Sequence, residues 1–404
     1  MPAFYKEWFY KTKRSLTAMV ITKPQPKALT FTGADSVKVL CRTIGQFGIK
    51  KVLIVTDKPL VELGALNTTL AWLTEQSVAY EVYDGVLPDP TQSVVDNGIA
   101  ALKQAQCDAV LAFGGGSSID AAKVIALAAA NDCKAEDCLG LKQCKLPTLP
   151  FFAVPTTAGT GSEATMFAVI SDNETHEKGG VVDPTLIPCA TALDPVLMKG
   201  LPPHITAATG MDALTHAIEA YIGVWEMSET RFYSMSAIKL IFDHLPEACA
   251  NGDNLEAREA MALASHYGGL AITSALVGYV HAVSHNLGGK YGVPHGLANA
   301  MVLPHVLDLM KGSAAKKMAD IALHVGLGEA SEGHAALADK LIAKVRTLNE
   351  AIGIPATTDV IREEDINDLV DAALTEGSTY PTPRYLERRE CEALVRGLMT
   401  AGGV

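Results

Sequence analysis

The pattern that most constrains this chain is a change of texture near Gly200-Leu-Pro-Pro203. Before it, short apolar runs alternate with helical periods. Val52–Thr56, Ala79–Tyr83, Ala109–Phe113 and Phe151–Val154 read as strands. Helices are expected over Val61–Gln76 and Gln92–Gln106 between the first three, and over Ile119–Ala130 after the third. Strands that alternate with helices build a parallel sheet covered on both faces. After the change only helical stretches remain: Ile205–Ile222, Glu229–Ala250, Leu255–Leu276, Ala298–Met310 and Ala335–Ala351. The expected fold is an α/β, Rossmann-like parallel-sheet domain over residues 1–202, with an N-terminal arm at 1–26, followed by an all-α domain over 203–404.

A chain of 404 residues with 49% apolar and 19% charged content can bury a large core, and its length suits two domains. Its net charge of -12 is spread along the chain, which argues against nucleic acid or an anionic membrane as partner and for a small-molecule ligand. The stretch Ala260–Gly289 has no Asp, Glu, Lys or Arg and is long enough to span a bilayer. It also contains His266, His281 and His285, and three imidazoles in lipid are costly, so buried helices of a non-membrane protein are expected. The first twenty residues mix Phe4, Tyr5, Trp8, Phe9 and Tyr10 with Lys6, Lys11, Lys13 and Arg14. That mixture has no apolar core of signal-peptide length; it reads as an aromatic arm packed on its own subunit or a neighbour, in a cytoplasmic protein. The eight cysteines form no CxxC pair, and Cys133, Cys138 and Cys144 lack a standard zinc or iron–sulfur spacing, so reduced structural thiols are the expectation.

The third strand runs into Gly114-Gly-Gly-Ser-Ser118 and then a helix. Glycines admit a ligand close to the backbone, and a helix N-terminus offers unpaired N–H groups and a positive dipole end, which suits a pyrophosphate. A tight turn without ligand is the alternative. The spacing is not G-x-G-x-x-G, so the loop departs from the ordinary Rossmann form. A second cluster, Pro155-Thr-Thr-Ala-Gly-Thr-Gly-Ser-Glu163, follows the fourth strand, and its Thr156, Thr157 and Thr160 hydroxyls suit phosphate or ribose at the same sheet edge. Asp57 closes the first strand, where a carboxylate either accepts from an adenosine ribose, favouring NAD over NADP, or caps the following helix.

All eleven histidines lie at or beyond residue 176. Asp212-Ala-Leu-Thr-His216 and His281-Ala-Val-Ser-His285 each place two polar groups four apart, on one face of a helix, and His295 lies in the turn Val293-Pro-His-Gly296. Any one of these is ordinarily a satisfied core residue. Together, in uncharged helices where unpaired polar groups are costly, they read as a shared metal site: Asp212, His216, His281 and His295 as ligands and His285 beside them. One carboxylate and three imidazoles suit Fe(II), Zn(II), Ni(II) or Co(II) better than magnesium or calcium.

Four motifs in this order resemble the iron-containing, group III alcohol dehydrogenases, which belong to the dehydroquinate synthase-like superfamily. They are Gly114-Gly-Gly-Ser-Ser-Ile-Asp-Ala-Ala-Lys123, Pro155 to Glu163, Gly210-Met-Asp-Ala-Leu-Thr-His-Ala-Ile-Glu219, and His281-Ala-Val-Ser-His-Asn-Leu-Gly-Gly289 with Pro294-His-Gly296. The resemblance spans Lys27 to the C-terminus. It implies Fe(II) or Zn(II) on Asp212, His216, His281 and His295, and His285 lining the substrate pocket. It also implies NAD contacts from Asp57, Gly114, Gly115, Gly116, Ser117, Thr156, Thr157, Lys178 and Leu197, the last two on the resemblance alone. Asp120 falls in the matching loop and joins that set, although a carboxylate repels pyrophosphate, so a place nearer the substrate or in the first helical turn is also open. The implied reaction is hydride transfer between a primary alcohol and nicotinamide, with His285 handling the proton, in a homo-oligomer, a dimer foremost. A metal-dependent lyase or hydrolase of a phosphorylated substrate is the alternative. The reaction site is expected in a cleft between the two halves.

Overall fold

This is a computed structural model, and it describes Ala18 and residues 21–175 and 177–400. The aromatic arm expected at 1–26 therefore lies outside the described residues except for Ala18 and 21–26. The described residues divide into two compact units, one made of Gln25–Leu201 with Gly252–Gly269, the other of Pro202–Asn251 and 270–400, with the described residues before Gln25.

In chain order the first unit contains β1 (Leu29–Thr32), α1 (Ser36–Gln46), β2 (Lys51–Val55), α2 (Lys58–Glu62), α3 (Asn67–Glu75), β3 (Ala79–Tyr83), α4 (Gln92–Ala105), β4 (Ala109–Gly114) and α5 (Gly116–Asn131). There follow β5 (Gly140–Leu141), β6 (Phe151–Pro155), β7 (Phe167–Ser171), β8 (Lys178–Val182) and β9 (Ala190–Leu193). Six strands form a sheet in the order β1-β9-β6-β4-β2-β3, and every neighbouring pair is parallel. The four expected strands are all in it. β1 and β9, of four residues each, were too short to stand out, as was the smaller sheet β5-β8-β7. The helix expected over Val61–Gln76 is two helices, because Gly64 takes φ +70 and breaks the periodicity. α5 begins at Gly116, earlier than the expected Ile119.

Alternate residues of the central strands feed two apolar layers. Leu53, Val55, Val110, Ala112, Phe151 and Ala153 pack with α4 and α5 on one face. Val52, Ile54, Leu111, Phe113, Phe152 and Val154 pack with α1 and α3 on the other. Burial on both faces is what a parallel sheet requires. Strand order runs outward in opposite senses from β2 and β4, and ligands of open α/β sheets collect at such a switch point, beyond the carboxyl ends of the strands. Asp57 follows β2 and Gly114 ends β4, so the sheet puts both there.

The remaining elements are helices: α6 (Pro203–Ile222), α7 (Ser228–Ala250), α8 (Leu255–Ala275), α9 (Tyr279–Tyr291), α10 (His295–His324), α11 (His334–Ala351), α12 (Ile366–Gly377) and α13 (Arg388–Gly397). Residues 255–269 of α8 cluster with the α/β unit. Pro203 occupies the first turn of α6, where its missing N–H costs nothing. α10 is far longer than the expected Ala298–Met310, running through Pro304 and Gly312, and it starts at His295, which is therefore a helix residue and not part of a turn. α12 and α13 had no expectation. The charge-free run 260–289 breaks between α8 and α9, where Leu276 takes φ +55, and no single described helix is long and apolar enough to cross a membrane.

Candidate functional site

α6 is apolar almost throughout, yet Asp212, His216 and Glu219 recur at four- and three-residue steps on one of its faces, all buried. α9 contributes His281 and His285, and α10 contributes His295 and, one turn on, Asn299. The candidate ligand atoms of Asp212, His216, His281 and His295 all lie within 4.8 Å of one another. Asp212 Oδ1 is 3.7 Å from His216 Nε2, 3.9 Å from His281 Nε2 and 3.4 Å from His295 Nε2. Two atoms each about 2.1 Å from one ion at a tetrahedral angle are separated by about 3.4 Å, so this donor set fits a single cation.

The electrostatics agree. Burial alone raises the Asp212 pKa, but the neighbouring His216 and His295 imidazoles outweigh it and hold the carboxyl well below the ordinary range. His281 is held neutral, first by burial and then by repulsion from His216, His295 and His285. A neutral imidazole is what a metal requires. Glu219 fixes its tautomer: Glu219 Oε2 is 2.7 Å from His281 Nδ1, so that nitrogen donates and Nε2 presents its lone pair to the cluster. Glu219 is itself oriented by the N–H groups of Gly278 and Val280, at 2.9 and 2.8 Å, while burial pushes its pKa up to about 8. Asn299 Nδ2 lies 2.7 Å from Asp212 Oδ1, 3.2 Å from His281 Nε2 and 3.1 Å from His295 Nε2. An amide nitrogen has two protons for these three acceptors, so Asn299 cannot satisfy the cluster alone and a shared cation can.

His285 stands outside the four. Its ring stacks on His295 at 5.2 Å, and its Nδ1 is 2.6 Å from Glu376 Oε1, which also accepts from Tyr380 Oη at 2.7 Å. With Nδ1 engaged, Nε2 is the nitrogen left for proton exchange.

In the α/β unit, Gly115 caps α5 and the N–H groups of its first turn face outward from β4. The loop after β6 presses against this turn. A Cβ on Gly116 would meet Thr160 Cγ2 at 2.6 Å, and one on Gly115 would meet Thr157 Oγ1 at 3.4 Å; Thr156 N–H donates to Gly114 O at 3.0 Å. Only glycine keeps this cradle open, which fits the backbone approach a pyrophosphate needs. Asp57 Oδ1 accepts from Leu60 N–H at 3.0 Å and so does cap α2. Asp120 points away from the cradle, its oxygens taken by Ser162 Oγ at 2.5 Å and Val169 N–H at 2.9 Å. Lys178, on β8, pairs with Asp89 at 2.7 Å, and Leu197 packs against the apolar layer over Ile54 and Phe113.

Sequence reasoning passed over Lys123, whose fully buried Nζ has four acceptors for its three protons: Ser162 Oγ at 3.0 Å, Thr165 Oγ1 at 2.9 Å, Thr165 O at 3.0 Å and Phe167 O at 2.6 Å. Through Ser162 it joins the second loop to α5. Glu219 and Asn299 were also unassigned, though each lies at helical spacing from a ligand, seven residues after Asp212 and four after His295. Glu376 had no local signal.

Comparison with known proteins covers both units. The sequence pattern described as "Iron-containing alcohol dehydrogenase" matches residues 27–195, and "Fe-containing alcohol dehydrogenase family, C-terminal" matches residues 206–399. The chain is 40% identical over 372 residues to the 1,3-propanediol dehydrogenase of Klebsiella pneumoniae, covering 91% of this chain and 96% of that one. It is 37% identical over 369 residues to the NAD-dependent methanol dehydrogenase of Bacillus methanolicus, covering 91% and 97%. A crystal structure of a 1,3-propanediol oxidoreductase superposes with a TM-score of 0.90 at 38% identity, covering 93% of this chain and all of the other.

Proposed function

The chain belongs to the iron-containing alcohol dehydrogenase family, and from that membership we propose that it interconverts a small primary alcohol and its aldehyde, with NAD(H) as hydride carrier and Fe(II) or Zn(II) in the histidine cluster. The observation that carries this reading is the gathering of Asp212, His216, His281 and His295 in a buried pocket of ligand atoms. Asp212, His216, His281 and His295 would hold the metal, which would supply Lewis-acid polarisation of a substrate oxygen, and the bound nicotinamide would supply hydride-transfer chemistry.

The protein's own groups do the rest. Asp212 supplies the anionic charge of the ligand set, and Glu219 holds His281 in the ligating tautomer. His285, tied to Glu376 at Nδ1, receives or returns the proton at Nε2; full activity of His285→Ala at every pH would remove it from that role. In the α/β unit, Gly114, Gly115, Gly116 and Ser117 receive the pyrophosphate, with Thr156, Thr157, Thr160, Lys178 and Leu197 as further contacts. Asp57 accepts from the adenosine ribose and repels a 2′-phosphate, so NAD is preferred to NADP. Asp120 acts by fixing Ser162 and not by touching the cofactor.

Absorbance at the NADH band tests this directly. Protein stripped of metal and reconstituted anaerobically with Fe(II) or Zn(II) is expected to reduce NAD with primary alcohols, and stripped protein is not. Metal-dependent turnover without any nicotinamide change would return the reading to the lyase or hydrolase class, which the comparisons do not favour. We also propose a cytoplasmic homodimer, a choice supported by eight cysteines held as thiols and by the prevalence of two-fold pairs. Sedimentation at a monomer mass would sink the dimer; fractionation into a cell envelope would sink the location.

A further inference from the structure

We propose that Cys133, Cys138 and Cys144 form a three-thiolate site for a soft monovalent cation, with Cu(I) as its representative, remote in kind and function from the histidine cluster. Cys133 follows the end of α5, Cys138 closes the short 3-10 turn Glu136–Cys138, and Cys144 lies in the loop beyond β5. Their sulfurs converge: Cys138 Sγ is 3.8 Å from Cys133 Sγ and 3.5 Å from Cys144 Sγ, and all three lie within 4.8 Å of one another. Three sulfurs each about 2.3 Å from one ion and 120° apart are separated by about 4.0 Å, so a shift of a few tenths of an ångström closes the shell.

The donor chemistry selects the ion class. Thiolates bind soft, d10 cations and leave hard ions to oxygen ligands. Zinc in a closed site takes four ligands, whereas this group has three among the described residues. A trigonal Cu(I) centre needs no fourth. The surroundings suit it too, since Cys138 is buried in an apolar cluster that includes Ala135 and Leu186, with Leu139 and Leu149 packed against it. Cys133 and Cys144 are only partly buried and provide the way in.

Coordination breaks three S–H bonds and forms three S–Cu bonds. Three protons pass to solvent, leaving a complex of charge -2. Without the ion, Cys138 and Cys144 stay protonated, because burial raises both pKa values. They are then poor nucleophiles, which spares the cluster from oxidation. Bound metal would staple the irregular segment 132–146 to the end of α5.

The test uses reduced holoenzyme, its histidine cluster already loaded with Fe(II) or Zn(II), titrated anaerobically with Cu(I) against a chromophoric Cu(I) chelator. Wild type is expected to take one Cu(I) per chain in competition with the chelator. Cys133→Ser and Cys144→Ser, at partly buried positions, are expected to lose at least tenfold in affinity while keeping wild-type NADH-linked activity. Cu(I) should also shield the partly buried Cys133 from alkylation by iodoacetamide, a readout independent of any variant. Equal Cu(I) uptake by wild type and both serine variants overturns the proposal. So does a peptide map that finds Cys138 disulfide-bonded to Cys133 or Cys144 under glutathione at cytosolic strength.

Discussion

In the helical unit, Asp212, His216 and His281 put charged or titratable side chains where 5% or less of each residue is exposed, whereas the loops after β4 and β6, the proposed pyrophosphate cradle, offer backbone and small side chains. The difference follows from what each ligand demands. A cation must be met by lone pairs from side chains, and burying those is costly unless the cation or a hydrogen bond compensates. A pyrophosphate is met by N–H groups, which every residue carries, so the requirement falls on shape: no Cβ at Gly116, a helix start at Gly115. One site is therefore sensitive to loss of chemistry, the other to gain of volume.

The largest effect should come from removing a side chain of the first kind. His281→Ala is expected to lose bound metal and at least about a thousandfold in kcat/KM, since a Lewis acid contributes several kcal/mol to the barrier. Glu219→Gln, which leaves every ligand in place but puts an amide NH2 where one of the two oxygens that accept from His281 Nδ1 and the Gly278 and Val280 N–H groups now stands, should weaken metal binding by about 10- to 100-fold. Metal content by elemental analysis and NADH-band kinetics read both. If His281→Ala keeps its metal, the contrast between the units loses its chemical half.

Lys123 blurs the contrast, because it is a buried charge inside the backbone-built site. Burial pulls its pKa down from 10.5 to about 8, against the pull of Asp120 and Glu163. In the unfolded chain it keeps its proton to about pH 10.5, so between about pH 8 and 10.5 the unfolded state binds more protons. Stability should then rise with pH across that window, and below pH 8 the cost is constant. The total is on the order of 3 kcal/mol. Lys123→Met lacks this contribution, so denaturant unfolding from pH 7 to 10 should show wild type gaining on the variant as pH rises. A gap that is flat over the range would mean that Lys123 stays charged or is already neutral throughout.

The same contrast explains what could be read from the sequence. Candidate metal ligands stand out by residue type and by spacing on one helix, so the cluster of Asp212, His216 and His281 was legible before any fold was known. Glu219 and Asn299 sit at equally regular spacings, but an acid and an amide are common on helices and need a partner in space to acquire a role. Glu376 meets His285 across 91 residues, and nothing local in α12 marks it. In the α/β unit the glycines were legible, whereas Lys123 looked like one more helix lysine until its Nζ was found among oxygens of a loop some forty residues on. β1 and β9 were missed because four residues carry too little pattern, and α10 was cut short because Pro304 and Gly312 normally weaken a helix that packing here sustains.

The smallest effect tests the backbone half of the comparison. Gly116→Ala adds one methyl, and its Cβ would sit 2.6 Å from Thr160 Cγ2, 2.9 Å from Thr160 Oγ1 and 3.2 Å from Thr160 Cβ. Neither loop can yield freely, since Ser162 is anchored to Asp120 and Lys123 just beyond Thr160. The strain should separate the two loops slightly, at a cost of about 1–3 kcal/mol in stability. It should also raise the dissociation constant for NADH about tenfold, or about 1.4 kcal/mol. Metal content should not change. Thr160→Ser in the same chain removes Cγ2, the atom a Gly116 methyl meets first, keeps the hydroxyl offered to the cofactor and should restore part of the affinity, which a general unfolding effect would not predict. Fluorescence titration with NADH reads the single and double variants side by side. Wild-type affinity in Gly116→Ala would show that the cradle between these loops is not where the cofactor is held, and the assignment of Gly114, Gly115, Thr157 and Thr160 would fall with it.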